Sequence, residues 1–85
     1  MVAPRYPSRA QNLGVEGCCR VEYTVTKTGT TRDIEPVDCS PPGYFEKASV
    51  IAAEKFKYRP RVVDGKPVEV PGIEYRFTFS LEHYD

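Results

Sequence analysis

From Ile73 to Leu81 every second residue is apolar: Ile73, Tyr75, Phe77, Phe79 and Leu81 alternate with Glu74, Arg76, Thr78, Ser80 and Glu82. That is the period of a strand with one face packed and the other in water. Burying five such side chains is worth on the order of 10 kcal/mol, so the stretch from Gly72 to Glu82 predicts the strand on which the core is built. No later strand pattern follows it in this sequence, and one of its backbone edges is expected to stay open.

The same period appears earlier. Cys19, Val21, Tyr23 and Val25 alternate with Arg20, Glu22, Thr24 and Thr26, and the β-branched residues in the run favour a strand. Lys27-Thr28-Gly29 supplies a turn, and a second strand is expected from about Thr30 to Asp38, returning antiparallel. Pro36 has no N–H to give a ladder, which places this strand at an edge or gives it a bulge. Between these strands and the last one the period changes. Phe45, Ala48, Ala52 and Phe56, with Ile51 beside them, form a stripe at helical spacing, in a helix that starts near Gly43 and Glu46 and ends before Pro60. A shorter helix is predicted in Tyr6 to Gly14, with Pro7 near its start and Gly14 past its end, held by Tyr6, Ala10 and Leu13. Arg61 to Val68 makes a short two-armed excursion round Asp64-Gly65. The result is an α+β fold with two helices packed on one face of a three-stranded antiparallel sheet. Residues 1–5 read as the end of a linker, 6–82 as the domain and 83–85 as a tail.

At 85 residues the chain makes one small domain, of a size at which disulfides, metals or partners commonly support the core. Lysine plus arginine and aspartate plus glutamate both number 12. Zero net charge argues against a general grip on nucleic acid, which needs a positive field. The basic, aromatic strip Lys55 to Arg61 is better read as cations at a helix C-terminus with Phe56 continuing the core stripe. No apolar run is long enough to cross a bilayer.

Cys18, Cys19 and Cys39 leave one thiol over in a monomer. They are read as buried or half-exposed thiols, as a cross-strand bridge from Cys39 to Cys18 or to Cys19, or, last in rank, as a metal site with His83. Counting back from the hairpin turn sets Cys39 opposite residue 17 or 18. Adjacent cysteines lack the Cys-x-x-Cys spacing that wraps two thiolates round a zinc ion, so no metal and no cofactor is expected. Ser40 and Ser49 have no base nearby in sequence, and the glycines are isolated, so no phosphate cradle and no enzymatic activity are expected.

Several stretches, in this order, resemble the C-terminal domain family of TonB, an inner-membrane energy transducer acting on outer-membrane receptors. They are Tyr6-Pro7-Ser8-Arg9-Ala10; Gly17 with Val21, Tyr23, Thr24, Val25, Thr26 and Gly29; Ser40-Pro41-Pro42-Gly43-Tyr44-Phe45; Lys57-Tyr58-Arg59-Pro60; Val62 to Val68; and the Phe77, Phe79, Leu81 ending. The resemblance implies a domain that binds the TonB box of a ligand-loaded receptor by pairing it with the last strand, here Tyr75, Arg76, Phe77, Thr78, Phe79, Ser80 and Leu81. It implies receptor-plug contacts from Arg5, Tyr6, Pro7 and Arg9. It further implies a periplasmic location, an inner-membrane anchor and ExbB and ExbD as partners through a part not in this sequence, and uptake of cargo such as iron siderophores or a vitamin. Homodimerisation through the same edge is a competing use of it. A structural module of the TolA-like or peptidoglycan-binding type is the alternative, and the Tyr6 to Ala10 and Val63-Asp64-Gly65 stretches favour the TonB family over it.

Overall fold

In a computed structural model, which describes residues 2–81, the elements run α1 (Ser8–Leu13), β1 (Gly17–Val25), β2 (Thr31–Ser40), α2 (Glu46–Glu54), β3 (Arg61–Val63), β4 (Lys66–Val68) and β5 (Val70–Phe79). The expectations on Glu82 and His83 fall outside the described residues. The fold is α+β, with a three-stranded antiparallel sheet in the order β2-β1-β5. The Asp64-Gly65 excursion adds a second, two-stranded ribbon, β3-β4.

The central strand carries the core. Cys19, Val21, Tyr23 and Val25 are all buried, and they cluster with Ala10 of α1, with Phe45, Ala52, Ala53 and Phe56 in and around α2, and with Phe77 and Phe79 of β5. Helix α2 packs against β1 and β2. Phe45, Ala52 and Phe56 of the expected stripe are buried and Ala48 is half-buried, but Ser49 and Ala53 join the inward face while Ile51, placed beside the stripe, is 42% exposed. The smallest side chains face the sheet because they let the helix lie closest to it. Glu46 fastens the helix start, its carboxylate accepting the Gly43 N–H at 2.9 Å. That and neighbouring backbone N–H groups hold its pKa below the ordinary glutamate value.

Helix α1 ends at Gly14 in the left-handed conformation, which turns the chain so that Val15, with its N–H on the Ala10 carbonyl, joins the core edge. Leu13, expected to pack, is 62% exposed instead. Gly29 permits the closest approach. A Cβ there would run into the Tyr58 carbonyl, and the Tyr58 N–H donates to the Gly29 carbonyl at 2.8 Å. The hairpin turn is thereby tied to the segment leaving α2, and the Tyr23 and Tyr58 hydroxyls meet beneath it. Burial, then that partner, pushes the Tyr23 phenol far above its usual pKa.

Strand β2 lies at the border of the sheet and is bulged twice, so both expectations for the Pro36 strand are met. One bulge sits at Asp33, whose φ is 54°, where Thr24 faces Arg32 but Glu22 faces Glu35. The other sits at Val37, where Val21 faces Pro36 but Arg20 faces Asp38. Each extra residue advances the pairing by one position. The two together bring Cys39 opposite Cys19, not residue 17 or 18. The bridge is Cys19–Cys39 and Cys18 is free, so a Cys18–Cys39 pairing is excluded: Cys18 faces Ser40 and its side chain points to the other side of the sheet.

Candidate functional site

Strand β5 is positioned from one face and one edge. On its packed face Phe77 and Phe79 are buried and Ile73 and Tyr75 half-buried. Phe79 stacks on Phe45 with ring centroids 4.2 Å apart, and Phe56 meets Tyr75 at 5.2 Å and Phe77 at 5.7 Å. This aromatic row ties β5 to the segments on either side of α2 and holds it flat against the core. On the wet face Glu74, Arg76 and Thr78 are exposed, and Glu74 reaches Arg20 across the ladder at 3.7 Å.

One edge of β5 pairs with β1 from Phe79, opposite Gly17, to Val70, opposite Val25, with a bulge at Pro71-Gly72. The other edge has no strand partner among the described residues. From Ile73 to Phe79 this edge is free of proline, so its unpaired N–H and C=O groups form a template for another strand.

The ladder stops earlier than the alternation suggested. Ser80 and Leu81, expected in the pairing strand, lie past its end. Strand β1 begins at Gly17, so β5 has nothing to pair with beyond Phe79, and the Leu81 N–H donates instead to the Glu16 carboxylate at 2.5 Å. Glu16 had no distinguishing signal in the sequence beyond standing just before the first strand.

The residues leading into α1 have separate tasks. Tyr6 is an anchor: its hydroxyl donates to the Val15 carbonyl at 2.6 Å and its ring meets Phe45 and Phe79 edge-on at 5.9 and 5.7 Å. Burial, with Glu16 adding to it, raises its phenol pKa. Pro7 is the N-cap of α1. Arg9 lies over the Tyr44 ring at 4.8 Å, a cation–π contact, and Arg5 is exposed. Arg5 and Arg9 thus carry charge to the surface while Tyr6 and Pro7 fix the backbone between them. Beside them a groove of about 610 Å³ runs between residues 2–8 and α2, with Ile51 on its wall and Arg5, Lys47 and Lys55 as its charged lining. Among the described residues no cluster of three metal-ligating side chains is present.

The sequence profile of the family described as Gram-negative bacterial TonB protein C-terminal matches residues 2–81. The chain belongs to this TonB C-terminal family. Protein TonB of Pseudomonas aeruginosa is 37% identical over 82 residues, covering 96% of this chain and 24% of that protein. Protein TonB of Escherichia coli K12 is 34% identical over 78 residues, covering 92% of this chain and 30% of that protein. The chain therefore spans less than a third of the lengths of these two relatives. Among solved structures, the C-terminal domain of Pseudomonas aeruginosa TonB superposes with a TM-score of 0.82 at 33% identity, covering 100% of this chain and 85% of that one. A structure of the TonB2 protein from Vibrio anguillarum gives 0.74 at 41% identity, covering 98% and 78%. The TonB C-terminal fold thus extends over the full described length of this chain, with β5 at the sheet border.

Proposed function

We propose that this domain is the receptor-contacting end of a TonB-type energy transducer. It takes the TonB box of an outer-membrane receptor as an added strand on the open edge of β5, between Ile73 and Phe79. The observation that carries the reading is that edge: proline-free, backed by an aromatic row and, among the described residues, without a strand partner. Main-chain pairing is largely indifferent to side chains, so one edge serves boxes of differing sequence. Each hydrogen bond nets only about 1 kcal/mol, yet a pull along the strands loads the bonds of the ladder together. That suits a connector that must bear tension while releasing readily at rest. Arg5 and Arg9 meet acidic groups of the receptor plug, where rim charges set encounter and register more than affinity, and Tyr6 and Pro7 hold the segment that presents them.

On this reading the domain works in the periplasm, on a chain anchored in the inner membrane and powered there through ExbB and ExbD by the proton-motive force. Its cargo is an iron siderophore, a vitamin or a similar solute, and it performs no enzymatic step. Pairing of two copies through β5 competes with receptor binding because it uses the same edge.

The test is an amide-resolved NMR titration with synthetic peptides copied from receptor N-termini. Saturable shifts concentrated on Ile73 to Phe79 are expected. Shifts confined to β2 or to the β3-β4 ribbon, or none with any peptide, would overturn the assignment.

A further inference from the structure

The edge of β5 is not bare. Val2, Ala3 and Pro4 run beside Tyr75, Arg76, Phe77 and Thr78 across a gap of about 270 Å³. Because consecutive β5 residues point to opposite faces and all four line the gap, the gap lies at the strand's outer edge and not on either face. Val2, Pro4 and Tyr6 are half-buried while Ala3 and Arg5 are exposed, and Val2 packs against the core cluster. The segment is laid down like a strand but not stitched like one: among the described residues no backbone hydrogen bond joins residues 2–4 to β5.

A strand added to β5 lies about 4.8 Å from it and spans about 10 Å across a packed sheet, so between Tyr75 and Thr78 it needs the space that residues 2–4 border. The segment also has a natural hinge. Tyr6, held by the Val15 carbonyl and by Phe45 and Phe79, fixes its far end, so residues 2–4 can swing away without disturbing α1.

The geometry points to a strap: residues Val2 to Pro4 cover the pairing edge in the free domain and must be displaced, about a hinge at Arg5-Tyr6, before a partner strand can add. This rests on the strand-addition reading and supplies its regulation. Tension arriving through the N-terminus pulls on the strap directly, so a loaded chain holds its own edge open while a slack one covers it.

The experiment uses two variants of the chain, one lacking residues 1–4 and one carrying Val2→Asp, which lifts the strap without shortening it. Each is titrated with the same receptor N-terminal peptides, and circular dichroism verifies folding. In parallel, a nitroxide on Ala3→Cys, in a Cys18→Ser background, reports proximity to the amides of Tyr75 to Thr78 by paramagnetic broadening. Shedding one half-buried apolar contact predicts peptide binding about fivefold tighter in both variants, and broadening that is strong in the free protein and lost on saturation. Equal affinity for the intact and altered chains, or broadening that persists in the saturated complex, would overturn the strap while leaving strand addition standing. Peptides that bind none of the chains would overturn strand addition and the strap with it.

Discussion

Removing the Cys19–Cys39 bridge should cost this domain a large part of its stability. The bridge closes a loop with a sequence separation of 20 residues, for which the chain-entropy relation gives about 3 kcal/mol at 25 °C. A domain of this length has roughly 4–13 kcal/mol in total, so the loss ranges from a quarter to most of it. Cys39→Ser is the cleaner perturbation, because Cys39 is half-buried at the border strand whereas Cys19 is fully buried. Urea unfolding followed by far-UV circular dichroism reads the effect. With a slope of about 1–1.5 kcal/mol per molar urea for a domain this small, the midpoint should fall by about 2–3 M. Reduction of the native chain should reproduce most of that fall, and Cys18→Ser should leave the midpoint where it was. A thiol count in denaturant without reductant should give one reactive thiol per chain. Three thiols, together with equal midpoints for Cys39→Ser and the unaltered chain, would refute the register derived from the two β2 bulges.

Two further outcomes follow from local geometry. Gly29→Ala sets a methyl group against the Tyr58 carbonyl and strains a residue with φ of 86°, and should cost about 1–3 kcal/mol in the same unfolding assay. Glu46 has a folded pKa below its ordinary 4.5, so its contribution is present above that value and lost as pH falls through the folded pKa. Unfolding midpoints for the native chain should therefore drop more steeply below pH 4.5 than those of Glu46→Gln, and parallel curves would remove Glu46 from the helix start.

The strands were legible where side chains alone decide them. Alternation from Ile73 to Phe79 and from Cys19 to Val25 carries the sheet, and Pro36 announced an irregular border. What the alternation could not reveal is set by backbone partners distant in sequence. The β5 ladder ends at Phe79 because β1 starts at Gly17, a boundary that the apolar Leu81 masks. Asp33 and Val37 are ordinary residues in a strand pattern, and only pairing exposes them as bulges that carry Cys39 to Cys19. Ile51 and Leu13 fit helical stripes yet face outward, since small Ser49, Ala52 and Ala53 claim the contact side of α2 and Gly14 redirects the chain to Val15. The candidate edge was legible as a strand without a later partner. Its cover was not, because Val2 and Pro4 are too few to make a period, though their alternation with Ala3 and Arg5 was the available signal.

The two borders of the sheet are unlike, and that bears on stoichiometry. The outer rim of β2 is broken by two bulges and by Pro36, so it offers no regular run of donors and acceptors to a neighbour. A second copy of the chain joining through β5 meets β5 in a two-fold arrangement, which uses up the self-complementary surface on both partners. The composite sheet then ends in a β2 rim on each side. Edge-to-edge association through this three-stranded sheet is therefore self-limiting: it closes at a dimer and does not seed a filament.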